Sequence, residues 1–523
     1  MLRSGRAGIL LHGQRSQCHR PFLALLRKTA GNCRPGKGGV RQTMAEEATL
    51  EALFNPTSVA VAGAAPGKAG QLFLDSILAS GFRGNVYAIN PKGAEVSGVR
   101  AYTSIGEVPG PVDYLVCCIP APAVPQLIKD CAAKGVKAIS IFTAGFSESG
   151  LETGRQLEAE VSRLARATGV RIIGPNCLGV YCPRAALCFA TDFPSEPGRV
   201  ALIGQSGGNT SYLIRAAAHR GVRFSKAISY GNACDVNECD LLEYLAQDSE
   251  TEVVAAYIEG VRDGRRFYRA IRELSKVKPV LVLKGGYTSV GGEIAASHTG
   301  ALAGSANVWG SLLEQAGAVQ AYSLEEMVDL LVTFALMPHP KGRRAGVFGG
   351  GGGASVLATD ELARAGFAIP ALPLKLREEI AGLFGTTAGM ILRNPIDLSM
   401  VGYGQGFYNI VKRLLTFDDG DWLDFALVHA GFGQAAWFSA SAFEREIELF
   451  RDFITRIYGE AEKPLALVLQ FLITSWDWQK ALDVQRGCSE AGMPVYHSMA
   501  GAANAIDKFL RYHERRQAAT SQG

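Results

Sequence analysis

Residues Arg199–Gly221 read RVALIGQSGGNTSYLIRAAAHRG. A short apolar run ends in a glycine-rich turn, and a helix-length stretch closed by a glycine follows. This is the strand–turn–helix unit of a parallel α/β sheet. The unit returns at Arg343–Gly366, RRAGVFGGGGGASVLATDELARAG. In both copies the glycines stand where a helix begins, where backbone N–H groups lack partners and the helix dipole favours an anion. Every α/β domain needs a tight strand-to-helix turn, so the pair speaks first for a fold and only second for two anion sites.

The same alternation runs outward in both directions. Strands are expected at Ser58–Ala62, Asn85–Ile89, Tyr114–Ile119 and Ala138–Phe142, with helices such as Ala69–Ser80 and Val124–Lys134 between them. Further strands are expected at Val200–Ile203, Lys226–Ser229, Val253–Ile258 and Val280–Lys284, then at Ala345–Phe348, Phe425–His429 and Leu465–Gln470. Strands apolar on both faces and joined by helices imply mainly parallel sheets covered on both sides. Pro338-His339-Pro340-Lys341-Gly342 reads as a linker. The expected architecture is three doubly wound, Rossmann- or flavodoxin-like α/β domains at 45–190, 191–338 and 339–515, with a short tail at 516–523.

Composition agrees and excludes other classes. The 523 residues are 48% hydrophobic and 20% charged, which suits several globular cores. No uninterrupted apolar stretch is long enough for a membrane span. The 11 cysteines form no CxxC pair, which reads as reduced, intracellular thiol without a zinc site or a disulfide framework. The net charge of +4 is uneven. Residues 1–44 carry seven Arg, two Lys and no acid, leaving an acidic body that gives no reason to expect nucleic acid. That leader reads either as an over-long start before Met44, with a cytoplasmic protein, or as a transit peptide to the mitochondrial matrix.

A third glycine-rich turn opens the first domain, VAVAGAAPGKAGQ at Val59–Gln71. Gly63, Gly67 and Gly70 have the spacing GxxxGxxG, so the dinucleotide fingerprint GxGxxG is not met. The next strand ends in Asn90-Pro91-Lys92, where an NAD site would place an acid. A lysine there favours a phosphorylated ribose, which fits coenzyme A and leaves NADP open.

Two further residues carry chemistry. His298 lies in ASHTGALAGS, a small-residue stretch that leaves a side chain accessible; His429, at a strand end, is the next histidine candidate. Glu259 ends the apolar run EVVAAYIEG, at the carboxyl end of a strand where α/β sheets bind ligands. A carboxylate accepting from one imidazole nitrogen would leave the other free as a nucleophile.

GPNCLG at Gly174–Gly179 and SHTGALAG at Ser297–Gly304, with the first glycine turn, resemble the NDP-forming acyl-CoA synthetases, the superfamily of succinyl-CoA synthetase and ADP-forming acetate–CoA ligase. IPAP at Ile119–Pro122 and TAGFSE at Thr143–Glu148 resemble its coenzyme A-binding domain. The second glycine-rich unit and NPIDL at Asn394–Leu398 resemble its third, flavodoxin-like domain. The resemblance runs from about residue 50 to 510.

It implies a phosphorylated histidine at His298 and an orienting acid at Glu259. It implies coenzyme A along Gly63, Ala64, Ala65, Pro66, Gly67, Lys68, Gly70, Lys92, Ile119, Pro120, Ala121, Pro122, Phe142, Thr143, Ala144 and Gly145. Phosphate would lie between two helix starts, at Ser206, Gly207, Gly208 and Asn209 and at Gly351, Gly352, Gly353 and Ala354. Ala144 stands in the coenzyme stretch where succinyl-CoA synthetases have an acid, and Tyr212 in QSGGNTSY does not align with the family's substrate tyrosine, so the resemblance implies the permissive acyl-CoA ligase branch rather than succinate. There is no Walker-type GxxxxGK[ST] and no stretch left for an ATP-grasp domain. The resemblance therefore implies an α-subunit type whose ATP-grasp β subunit brings ATP or ADP and Mg²⁺, with no metal held by this chain. The expected reaction interconverts acyl-CoA, ADP and phosphate with acid, ATP and coenzyme A. A coenzyme A-binding scaffold without turnover and an NADP-linked oxidoreductase are the alternatives.

Overall fold

A computed structural model describes residues 50–93, 95–288, 290–292, 306–383, 391–399, 401–417, 421–432 and 440–521. The leader at 1–44 and His298 lie outside the described residues. Among the described residues the strands build three six-stranded sheets. The first contains β1 (Ser58–Ala62), β2 (Asn85–Ile89), β3 (Ala101–Tyr102), β4 (Tyr114–Cys117), β5 (Ala138–Ile141) and β6 (Arg171–Ile173). Their order is β3-β2-β1-β4-β5-β6, and every pair is parallel. The winding reverses between β1 and β4, which opens a crevice at the carboxyl ends of those strands.

The second sheet holds β7 (Gly179–Tyr181), β8 (Val200–Gly204), β9 (Phe224–Ser229), β10 (Val253–Ile258), β11 (Val280–Lys284) and β12 (Val319–Ala321), in the order β12-β11-β10-β8-β9-β7. The third holds β13 (Ala345–Gly349), β14 (Ile391–Leu392), β15 (Ile396–Asp397), β16 (Phe425–Ala430), β17 (Leu465–Leu469) and β18 (Val495–Tyr496), in the order β14-β15-β13-β16-β17-β18. Their reversal points fall between β8 and β10 and between β13 and β16. Each carries one antiparallel edge strand, β7 or β14. Glycine-rich strand–turn–helix units lead out of β8 and β13, so both units open at a reversal point.

The central strands are buried along their whole length, SVAVA in β1 and VVAAYI in β10 among them. This is the pattern of a sheet covered on both faces. The helices follow local signals. Of those that position the site, α1 spans Ala69–Ala79 and α2 spans Val124–Lys134. Helix α2 takes Pro125 in its first turn, where no N–H is needed, and stops at Gly135 with φ +82°. Helices α3 (Gly207–Ala218) and α4 (Leu324–Leu336) pack together, α4 also meets α6 (Met499–Thr520), and α6 meets α5 (Gly352–Arg364). Leu213, Leu331, Leu362 and Ile506 belong to one core shared by the second and third sheets. Val61, Val180, Tyr230 and Ile258 belong to a core shared by the first and second.

The expected fold class holds: α/β, with three mainly parallel doubly wound sheets. Details differ for physical reasons. The strand expected over Tyr114–Ile119 ends at Cys117, because the Ile119 carbonyl accepts from Thr143 Oγ1 at 2.6 Å and Pro120 has no N–H for a ladder. The chain enters the second sheet at Gly179 through β7, inside the stretch expected for the first domain. No described helix is long and apolar enough to cross a membrane.

Candidate active site

The residues expected to meet coenzyme A gather at one edge of the first sheet. Gly63 leaves β1 with φ +85°, and its N–H donates to the Ile89 carbonyl at 2.9 Å. A Cβ on Gly63 would stand 2.6 Å from the Cys118 carbonyl oxygen, and one on Gly70 would overlap the Gly63 carbonyl. Only glycine lets α1 start this close to the turn. Between them Ala65 is half-buried, and Pro66, Gly67 and Lys68 are exposed; Ala64 is buried beneath. At the end of β2, Lys92 is exposed and its N–H donates to Asn90 Oδ1 at 3.0 Å. The loops after β4 and β5 meet through the Thr143–Ile119 bond, and a Cβ on Gly145 would touch Ala121 at 3.6 Å. Pro120, Pro122, Ala144 and Gly145 are exposed, with Ile119, Ala121 and Phe142 half-buried beside them. An open glycine turn flanked by two lysines suits a long ligand with several phosphates.

This edge is tied to the second sheet. Glu148 accepts the N–H groups of Gly145 at 2.6 Å and Phe146 at 3.1 Å, and its other oxygen accepts Asn232 Nδ2 at 2.5 Å. Burial raises the Glu148 carboxyl, but these donors prevail and hold it below the usual range. Asn232 donates its N–H to the Pro175 carbonyl in GPNCLG at 3.0 Å, and a Cβ on Gly207 would meet Leu178 at 2.9 Å. The GPNCLG motif thus lies between the first-sheet loops and the turn that starts α3.

At the reversal point of the second sheet, Ser206 caps α3 by accepting the Asn209 N–H at 3.3 Å. Gly207 and Asn209 follow in the first turn, and a Cβ on Gly208 would come no nearer than 4.0 Å to Ser206 Oγ. Glu259 leaves the neighbouring strand β10 and is buried. Gln205 joins the two: its Oε1 accepts the N–H of Glu259 and that of Gly260, the latter at 2.9 Å. The Tyr257 hydroxyl donates to Glu259 Oε1 at 3.2 Å, and burial pushes that hydroxyl up to about 12, with the Glu259 charge adding to the shift.

The third sheet repeats the layout with other groups. Gly351 begins α5 at φ +99°, and its N–H donates to Asp397 Oδ1 at 3.0 Å. Gly352, Gly353 and Ala354 form the first turn. A cavity of about 260 Å³ opens above the turn, lined by Gly350, Gly351, Ala354, Leu398, Tyr403 and Phe407 among others. His429 is buried beneath Gly349, where a glycine Cβ would stand 2.5 Å from its Nε2. That burial makes His429 a poor candidate for phosphoryl transfer. Among the described residues no cluster of His, Cys, Asp or Glu could hold a metal ion.

Sequence reasoning took Gln205 only as the start of the glycine-rich turn and missed Tyr257, Lys284, Asn232 and Asp397 as parts of these sites. Asp397 stood in view within NPIDL at a strand end. Tyr257 stands two residues before its partner Glu259, and the others show only through contacts between distant segments.

Family models match at residues 57–183, as a CoA binding domain, and at residues 197–334, as a succinyl-CoA ligase like flavodoxin domain. The α subunit of acetate–CoA ligase [ADP-forming] I from Pyrococcus furiosus is 33% identical over 474 residues, covering 89% of this chain and 98% of that one. The chain belongs to the NDP-forming acyl-CoA synthetases. It is an acid–CoA ligase that uses coenzyme A, which sets aside the NADP-linked oxidoreductase. A second Pyrococcus furiosus α subunit, of acetate–CoA ligase [ADP-forming] II, is 38% identical over 70% of this chain and 79% of its own length. The structure of dinucleotide forming acetyl-coenzyme A synthetase 1 from Ca. Korarchaeum cryptofilum, in complex with phosphate and ADP, superposes with a TM-score of 0.75 at 30% identity, covering 90% of the ligase and 98% of that chain. The ligase spans 49% of the acetate–CoA ligase [ADP-forming] of Methanocaldococcus jannaschii, to which it is 37% identical.

Proposed function

We propose that this ligase is the α-type subunit of an ADP-forming acid–CoA ligase and works through a phosphohistidine at His298. The observation that supports this best is the pairing at the second sheet: a buried Glu259 and the capped start of α3 share one reversal point, joined by Gln205. A buried carboxylate beside a helix start suits an imidazole that is to carry a phosphoryl group, because one stabilises the cation and the other the anion.

In the acyl-CoA direction, a phosphate oxygen attacks the thioester carbonyl, the C–S bond breaks, and the thiolate leaves and is protonated as coenzyme A. An imidazole nitrogen of His298 then attacks phosphorus, the P–O bond to the acyl group breaks, and the carboxylate leaves. The phosphoryl group passes from His298 to ADP. Coenzyme A would lie along Gly63–Gly70, Lys92, Ile119–Pro122 and Phe142–Gly145. The N–H groups at Gly207–Asn209 and Gly351–Ala354 would hold the phosphoryl oxygens. Splitting one transfer into two positioned steps lets distant substrates exchange phosphate.

ADP and Mg²⁺ would sit on a partner subunit with an ATP-grasp fold. The match to two α subunits and to only half of a longer ligase supports a separate partner.

The test is labelled inorganic phosphate, offered with acetyl-, 4-hydroxybutyryl- or feruloyl-CoA, the thioesters of acids in its relatives' names. A label that requires the thioester, is lost in acid and survives base is expected. No label with any of the three would count against the phosphohistidine.

A further inference from the structure

Lys284 ends β11 with 4% of its surface exposed. Its Nζ donates to the Glu259 carbonyl at 2.7 Å and also to the Gly285 carbonyl. The ammonium lies 5.2 Å from the centre of the Trp309 ring. On the other side of the same peptide, Gln205 Oε1 accepts the Gly260 N–H at 2.9 Å, and it also accepts the N–H of Glu259. Gln205 is itself fixed, since its own N–H donates to the Tyr257 carbonyl at 3.1 Å. Both backbone polar groups of Glu259 are therefore held by buried side chains from neighbouring elements.

A fold alone does not call for this arrangement. Burying an ammonium costs several kcal/mol, and an apolar side chain at a strand end is commonly as stable or more so. Burial accordingly lowers the Lys284 ammonium, with the Glu259 charge pulling the other way. Gly285 completes the packing, because a Cβ there would meet the Tyr257 hydroxyl at 2.5 Å and Glu259 Cγ at 3.2 Å.

We propose that Lys284 and Gln205 are positioning residues that clamp the Glu259 peptide from opposite sides and so set the place of its carboxylate for phosphoryl transfer. The clamp acts through Glu259 and rests on the role proposed for that residue. Displacing a reacting or orienting group by about 1 Å costs on the order of 100-fold in rate. Lys284→Met keeps the stem and removes the donors.

The experiment measures the rate of phosphoenzyme formation from thioester and labelled phosphate in the full chain, across a double-mutant cycle of Lys284→Met and Glu259→Gln. Acyl-CoA affinity is measured in each variant as a control on the first sheet. Lys284→Met is expected to slow labelling by about 100-fold with affinity unchanged. Lys284→Arg, which keeps the charge and donors, is expected to recover most of the rate. In the Glu259→Gln background, removing Lys284 is expected to change little, because an effect carried by one residue is lost with that residue. Losses that multiply across the cycle would overturn the clamp, since a merely structural lysine costs the same in either background. If Lys284→Met does not fold, Lys284→Gln and Gln205→Ala take its place in the cycle with the same expected and contrary results. A wild-type chain that never labels would overturn the phosphohistidine and this inference with it. Wild-type labelling with multiplying losses would overturn the clamp alone.

Discussion

The two glycine-rich turns leave equivalent strands of equivalent sheets, yet they are built differently. The turn after β8 is fastened by side chains: Ser206 caps α3, and Gln205 reaches across to the Glu259 and Gly260 peptides. The turn after β13 starts α5 at Gly351 without a side-chain cap and leans on Asp397. It also borders a cavity with Leu398, Tyr403 and Phe407 in its wall. One topology thus serves two ends. The second sheet places a buried carboxylate near a capped helix start, and the third sets an uncapped helix start beside a cavity walled in part by apolar side chains.

The largest expected asymmetry is in rate. Glu259→Gln keeps shape but removes the charge that supports an imidazolium, and phosphoenzyme formation is expected to fall by at least roughly 100-fold. Asp397→Asn, at the matching place in the third sheet, is expected to cost no more than about 10-fold, because its oxygen can still accept the Gly351 N–H. Rapid-quench labelling of both variants checks this, and equal losses would erase the distinction.

Next comes acid stability, which separates the third sheet from the second. Burial pushes the His429 imidazole down from 6.5 to about 4, while Asp397 pulls it up. The folded chain keeps it neutral, and the unfolded chain protonates near 6.5. Its contribution is therefore present above that pH and is lost as pH falls toward 4. A shift of this size amounts to roughly 3 kcal/mol. Urea unfolding at pH 7 and pH 4.5 is expected to show a smaller acid loss in His429→Asn than in the wild type. An unchanged loss would mean that His429 is not its source.

The smaller effects test the turns themselves. Gly351→Ala forces an L residue to φ +99° and is expected to destabilise by about 2 kcal/mol. Ser206→Ala removes a helix cap and is expected to cost about 1 kcal/mol. Thermal unfolding of the two variants ranks them, and the reverse order would mean that the side-chain-fastened turn is the more strained.

Much of this was legible in the sequence. Short apolar runs located β1, β2, β10 and β11 to the residue; β1, β10 and β11 are buried along their whole length, so no polar alternation blurs them. Glu259 was visible as an acid at a strand end. The clamp was not. Lys284 looks like an ordinary strand-end lysine, and its partner Glu259 lies 25 residues away, while Gln205 lies 54 from the same residue. The antiparallel edges β7 and β14 were also missed. They span three and two residues, too short to show a period.

In the proposed mechanism one histidine carries the phosphoryl group. Wild-type chain labelled from thioester and phosphate should place the label on the tryptic peptide Gly285–Lys341, which contains His298 and His339. His298→Asn is expected to abolish that label while acyl-CoA still binds. A His298→Asn chain that labels at the wild-type level would contradict that mechanism.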